Sequence, residues 1–409
     1  MEVEILGGFT APFDEDFREA VAPFEEETGA TVIYTGSPDF ETQIQTRVLG
    51  GDPPDIAMFP QPGLMRDFIA EDQIRALDDV VDTEQLQESL IPGLFDLGTV
   101  DGSYYGLPRV VNVKSVVWYP PGPFEEAGYE IPQTWDQLLG LTDAIAQDSE
   151  QARAPWCLGI EAAGSTGWVV TDWIEDLMLR TAGPEAYDAW VAGELPFSSP
   201  EVTRAAELFA EIAFTDEYVL GGRQGMLSTP YGDSIAPLFE DPPACYLHRQ
   251  ASFIVGFLPE GVDPATDVAV FYLPPVEDGF DGEPVLGGGD LASLFTENPA
   301  AEEFMRYMTS PDWLGPQIET GQDFAPFQDF PLEDYPDDVT RQEAQILAEA
   351  DVFRFDASDL MPAQVGAGAF WSEMVAWLSG EIPLEQALQN IDDAWPADQR
   401  GGDASATDS

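Results

Sequence analysis

The sequence predicts an α/β protein built on a parallel sheet, and three observations carry that reading. The first 59 residues alternate short apolar runs with helical stretches in the order β-α-β-α-β, which implies parallel strands joined by right-handed crossovers. The stretch Glu283 to Trp313, E-P-V-L-G-G-G-D-L-A-S-L-F-T-E-N-P-A-A-E-E-F-M-R-Y-M-T-S-P-D-W, joins a glycine-rich buried strand to a capped helix. At 409 residues the chain is long enough for two lobes with separate cores.

Taken in order, Val3 to Phe9 reads as a strand. Phe13 to Thr28 reads as a helix, with Phe13, Phe17, Val21 and Phe24 near helical spacing. Gly29 ends it, and A-T-V-I-Y is the second strand. Thr35 to Asp39 forms a loop that caps a helix from about Phe40 to Leu49, and D-I-A-M-F is a third, buried strand. Ligands of such sheets sit at the carboxyl ends of strands. Those ends carry Gly8-Phe9, Ser37-Pro38-Asp39 and Phe59-Pro60-Gln61-Pro62, which makes Phe9, Asp39 and Gln61 candidates. Further on, Thr134 caps a helix with Gln137 in capping-box register and Trp135 packed beneath. In the glycine-rich stretch, Leu286 to Phe295 is a turn and strand whose glycines let the backbone approach a ligand or another strand. Asn298 and Pro299 then open a helix, Glu302 and Glu303 occupy its first turn, and Ser310-Pro311 stops it.

Composition sets bounds on partners. Seventy-seven acidic against fifteen basic residues give a formal charge of −62, and Lys114 is the sole lysine. Such a surface repels nucleic acid and anionic lipid, and it suits high salt, where screening shortens self-repulsion. No run of some 18 apolar residues is present to span a membrane. Met1-Glu2 leads directly into the first strand, as expected of a mature secreted domain given a start methionine, or of a cytosolic protein. Cys157 and Cys245 each lie in an apolar aromatic setting, and on composition they are either two buried thiols or one disulfide. One histidine and no G-x-S-x-G argue against a serine triad, and no metal or nucleotide motif is present. A glycosidase needs only two carboxylates, so the residues alone leave that reading open.

Several stretches together resemble one family. F-E-E-E-T-G-A-T-V followed by G-G-D-P-P-D-I-A is similar to the opening of carbohydrate-binding proteins of ABC importers. G-L-P-R-V-V-N-V-K-S-V-V-W-Y-P with F-E-E-A-G-Y-E-I-P-Q-T-W-D-Q-L looks like that family's passage from first lobe to second. Pro155 to Arg180 and Ala244 to Phe253 resemble the alpha-glucoside-binding branch, which carries a cysteine at both places. The segment from Met361 through Trp377, and on through L-S-G-E-I-P-L-E-Q-A-L-Q-N-I-D-D-A-W, resembles the family's closing helices.

The resemblance implies a two-lobed periplasmic-binding-protein-like fold with a ligand cleft between lobes and a hinge crossed near residues 110–115, 268–275 and 322–328. By the same analogy the first lobe holds 1–112 and 275–325, the second 113–274 and 326–399, and 400–409 is a disordered tail. It implies a Cys157–Cys245 disulfide, an extracellular or periplasmic monomer that could be lipid-anchored, no cofactor, no metal and no catalysis. The expected ligand is an alpha-linked glucoside such as maltose, trehalose, sucrose or a short maltodextrin, delivered to a membrane permease. Sugar rims want carboxylates, amides and Arg, and sugar faces want aromatic rings. On that chemistry the ligand set is Phe9, Asp39, Gln61, Trp168, Asp290, Arg354, Asp359 and Trp371. Trp371, after the small run Gly366-Ala367-Gly368-Ala369, is the expected stacking platform and Trp168 a second. Asp290→Ala is expected to lose ligand without losing stability.

Overall fold

The computed structural model describes residues 1–10, 13–148 and 154–397. The expected tail at 400–409 lies outside the described residues. The chain divides into two units, Met1–Asn112 with Gly288–Ala348 and Val113–Gly287 with Glu349–Ser409. The second and third divisions fall later than the expected 275 and 325. The strand Pro284–Leu294 is continuous through the second division, and the helix Asp338–Glu349 precedes the third.

In the first unit β1 (Glu2–Gly7), α1 (Phe13–Thr28), β2 (Thr31–Gly36), α2 (Phe40–Leu49), β3 (Ile56–Phe59) and α3 (Pro62–Ala70) follow the sequence-based order. Strands β2, β1 and β3 are parallel neighbours, with Ile5 opposite Tyr34 on one side and Ile56 on the other. The sheet is not wholly parallel. Leu291–Leu294 runs antiparallel to β3, because this strand is not reached from β3 through a helical crossover. Gly289, at φ 155°, shows what the glycine run is for: a Cβ there would lie 2.2 Å from the Val110 carbonyl oxygen. The close approach is to another strand. Helix α1 buries Phe17, Val21 and Phe24, and Phe24 meets Phe304 edge-on at 5.1 Å. The helix Pro299–Tyr307 starts as its sequence demands, with Asn298 Oδ1 accepting from the Ala300 N–H. The Asn298 amide also donates to Glu2 O and Asp55, tying the cap to the sheet.

The second unit has a four-stranded sheet in the order Ala269–Tyr272, Val116–Tyr119, Cys245–Arg249, Ala154–Trp156. Its core holds Trp135, Trp156, Trp173, Trp190 and Trp377, each under 9 % exposed. Thr134 caps the helix Trp135–Gln147 through the Gln137 N–H, but the reciprocal bond from Gln137 Oε1 reaches the Gln133 N–H rather than that of Thr134. The helix Trp168–Val191 is buried along most of its length and kinks at Gly183, φ 81°, before Pro184.

Cys157 and Cys245 form a disulfide with Cα atoms 5.7 Å apart, closing a loop across 88 residues beside paired strands. His248, the single histidine, is buried next to it with Nδ1 2.8 Å from Cys157 O, and burial pushes it down to about 4. Replacing both cysteines by alanine is expected to lower stability by about 2–4 kcal/mol. Urea unfolding of the double variant checks this, and coincident midpoints with the parent would refute it.

Candidate functional site

Each unit gathers its own set of candidate groups. In the first unit, the carboxyl ends of β1, β2 and β3 meet: Ser37 N donates to Gly7 O, and a Cβ on Gly8 would touch Pro60 and Phe40. Phe9, Asp39 and Gln61 all leave from this edge, as parallel-sheet geometry demands. Phe9 stacks on Tyr34 at 4.4 Å and carries the Arg109 guanidinium over its ring at 4.6 Å. Arg109 donates to Asp290 Oδ2 at 2.7 and 3.2 Å, lies 3.5 Å from Asp323, and bonds Gln317 Oε1. Phe9 and Asp290 are therefore brought together, through an arginine that the sequence reading passed over.

Asp39 is exposed at the start of α2, where its backbone N–H donates to Ser37 Oγ. Gln61 is buried at the start of α3, and its Oε1 finds no hydrogen-bond donor among the described residues. One turn on, Arg66 is half-buried on α3. Burial lowers its pKa, and no hydrogen bond or ion pair to it occurs among the described residues. An unpaired guanidinium in a chain of 77 carboxylates is the missed residue with the clearest capacity for a ligand.

The pair with Arg109 bears on the expectation that Asp290→Ala spares stability. The Arg109 side chain is 7 % exposed, so removing Asp290 weakens the neutralisation of a buried cation. Asp290→Ala is expected to cost about 2 kcal/mol of stability, the worth of a charged hydrogen bond; a melting temperature equal to the parent's would overturn this.

In the second unit Trp168 is half-buried at the start of its helix, with Tyr231 edge-on at 5.1 Å and Lys114 Nζ 5.4 Å from its ring centre. Trp371 is 4 % exposed, and its Nε1 donates to Ser358 Oγ at 3.1 Å. Phe370, Met374 and Trp377 of the same region join the apolar core, whereas Trp371 is not among its described members. The two tryptophans are neighbours through the backbone: a Cβ on Gly167 would fall 2.6–2.8 Å from main-chain atoms of Trp371. Within the small run before Trp371, Gly366 is needed for close packing, whereas Gly368 is exposed. A Cβ on Gly366 would lie 1.8 Å from Ser358 O.

Asp359 is buried in the same group, its N–H donating to Asp356 Oδ1 at 3.3 Å. Arg354 is elsewhere. It lies on the strand Val352–Phe355 and forms a bidentate pair with Asp188 at 2.6 and 2.8 Å, not the pair with Asp356 that sequence proximity offered. Both members of that pair are partly exposed, and the structure does not bring Arg354 to the tryptophans.

Beneath the tryptophans lies a buried charge network. Lys114 pairs with Asp172 at 2.8 Å and with Asp356. Arg249 donates to Asp176 at 3.0 Å, and Arg180 lies 3.3 Å from it. Glu175 accepts from the N–H groups of Ala357 and Ser358. Asp172, Glu175, Asp176 and Asp356 are thus packed against Lys114, Arg180 and Arg249. Burial, with Asp356 adjacent, raises Asp172 and Glu175; at Asp356 burial is outweighed by Lys114 and by hydrogen bonds from Glu175 and Asp172, which hold it below the usual range. Asp172, Glu175 and Asp356 bring oxygens within 4.8 Å of one another, but the Lys114 ammonium already fills the place of a cation there.

Each α/β unit offers aromatic and polar groups of the kind that hold a polar solute. The chain belongs to the bacterial extracellular solute-binding proteins, whose family model matches residues 7–314. It is 44 % identical over 395 residues to the osmoprotective compounds-binding protein GgtB of Synechocystis sp., spanning 97 % of this chain and 92 % of that one. It is 40 % identical over 402 residues to the alpha-glucosides-binding periplasmic protein AglE of Rhizobium meliloti, spanning 96 % and 86 %. The resemblance to the alpha-glucoside-binding branch therefore holds. Among solved structures, a chitin oligosaccharide binding protein superposes with a TM-score of 0.82 at 18 % identity, covering 96 % of this chain and 97 % of that one. The cyclic alpha-maltosyl-1,6-maltose binding protein of Arthrobacter globiformis gives 0.67 at 19 %, covering 98 % and 100 %. These likenesses establish the two-lobed periplasmic-binding-protein-like fold. No helix among the described residues is long and apolar enough to cross a membrane.

Proposed function

We propose that the protein binds an alpha-linked glucoside, such as maltose, trehalose, sucrose or a short maltodextrin, and delivers it to the permease of an ABC importer. The observation that carries this is the near full-length likeness to an alpha-glucosides-binding protein at 40 % identity. The charge pattern agrees. Arg109 and Lys114 are already neutralised by carboxylates, so neither is left to draw in a sugar acid or phosphate. Trp168 offers a ring face, Phe9 between Tyr34 and Arg109 offers a ring edge, Asp39, Gln61, Arg66 and Asp290 offer rim contacts, and Trp371 and Asp359 border Trp168 in this reading. Arg354 carries the weakest case, being held by Asp188.

A second reading is an osmoprotective glucoside or related polyol, favoured by the 44 % likeness to GgtB and by an acidic composition suited to high salt. The disulfide supports an oxidising, extracellular setting.

Intrinsic tryptophan fluorescence tests the reading: titrate maltose, trehalose, sucrose, a maltodextrin, a glycerol glucoside and a β-linked control, in low and high salt. A saturable change with one alpha-glucoside supports it; silence across the panel in folded protein moves the ligand to another solute class. With the responding sugar, Trp371→Ala is expected to weaken binding at least tenfold, about 1.4 kcal/mol, with the fold intact. Unchanged affinity would remove Trp371 from the site.

A further inference from the structure

Lysine is normally the residue a protein leaves on its surface. Here fourteen of the fifteen basic residues are arginine, and the lone lysine, Lys114, is buried. Its ammonium touches both aromatic candidates of the second unit by separate routes. One route is direct, with Nζ 5.4 Å from the centre of the Trp168 ring, inside cation–π range. The other runs through side chains. Lys114 pairs with Asp356 Oδ2, Asp356 Oδ1 accepts from Ser358 Oγ at 2.9 Å, and Ser358 Oγ accepts from Trp371 Nε1 at 3.1 Å. Thr171 joins them, its Oγ1 donating to Trp168 O at 3.0 Å and lying 3.3 Å from Ser358 Oγ.

We propose that Lys114 is a positioning residue for ligand recognition, a single ammonium that fixes the Trp168 ring directly and the Trp371 indole through Asp356 and Ser358. A compact point charge with three donors suits a site shared by two carboxylates and a ring face; a planar guanidinium fork does not. Asp172, one turn along the helix that Trp168 begins, holds the ammonium at 2.8 Å. The network lies within one unit, and Lys114, Asp172, Asp356 and Ser358 are all buried. The inference rests on the reading of Trp168 and Trp371 as sugar contacts.

The test uses Lys114→Met/Asp356→Asn, which removes one cation and one negative charge together and keeps the oxygen that accepts from Ser358. Ser358→Ala separately cuts the route to Trp371 without touching any charge. Near-ultraviolet circular dichroism of the unliganded proteins reports whether the indoles keep fixed orientations. Titrations with maltose, trehalose and sucrose report affinity. The double variant is expected to melt within a few degrees of the parent, to lose near-ultraviolet tryptophan intensity, and to bind about tenfold or more weakly. Ser358→Ala is expected to show a smaller loss of both. Parent-like dichroism and affinity in both variants overturn the proposal; should the double variant not fold, Ser358→Ala alone decides, and parent-like values there overturn it. Trp168→Ala and Trp371→Ala, measured alongside, separate the two readings. Loss of affinity in these with none in the Lys114 variants sinks only the positioning role, whereas no loss in any of them sinks the sugar contacts and the positioning role together.

Discussion

Asp176→Ala is expected to destabilise the second unit by about 3–5 kcal/mol, the cost of leaving buried charge uncompensated. Asp176 is fully buried and serves three groups: Arg249 at 3.0 Å, Arg180 at 3.3 Å and the Ser115 hydroxyl at 3.0 Å. Ser115 Oγ in turn accepts from the Leu286 N–H at 2.8 Å, so the carboxylate also orders the entry to the strand Pro284–Leu294. Alanine removes the acceptor and leaves two buried guanidinium groups short of a counter-charge. Asp188→Ala is the matched control. It also loses a carboxylate–arginine pair, but one whose side chains are 33 % and 54 % exposed, and the expected loss is under about 1 kcal/mol. Guanidinium chloride would confound the comparison by screening, so urea melts are the measurement. Equal losses in the two variants would show that burial does not set the cost.

The same network shows where sequence reading reached and where it stopped. Helix α2 was legible to the residue, because Asp39 and Gly50 punctuate it and propensity meets no competition. The Asn298 cap was legible for the same reason, since caps are local chemistry. The roles of Arg109 and Lys114 were harder to read against a background of 77 carboxylates. A signal was present: both cations lie in L-P-R-V-V-N-V-K, a run otherwise without charge, and the strand Leu107–Val113 is buried throughout. The spacing of Asp172, Glu175, Asp176 and Arg180 on an otherwise apolar helix was a second signal, since positions three, four and eight apart share a face. What periodicity could not supply is the partner across the fold. Arg354 pairs with Asp188, distant in sequence, because the strand ends at Phe355 and Asp356 already caps the next helix and pairs with Lys114.

Glu343→Met is expected to stabilise the first unit by about 1–3 kcal/mol near neutral pH, reversing the usual direction of a core substitution. Glu343 is 1 % exposed on the helix Asp338–Glu349, and neither carboxyl oxygen has a hydrogen-bond partner among the described residues. Burial, with the Asp337 carboxylate nearby, raises its pKa well above the ordinary 4.5. The sign of the pH dependence follows. Below 4.5 the folded and unfolded chains both hold the proton, and the site costs only an unsatisfied polar group. As pH rises from there toward the raised folded value, the unfolded chain releases its proton and the folded chain does not, so stability falls. Methionine has nearly the same length and no proton to hold, so the variant's advantage should grow from pH 4.5 upward and level off once the folded group ionises. The whole chain becomes more negative over the same range, and that background falls equally on both proteins. The difference between variant and parent, from urea melts at several pH values in high salt, therefore isolates the single carboxyl. An advantage that stays constant with pH would mean that Glu343 is ionised in the fold, held by a partner that burial and geometry do not reveal.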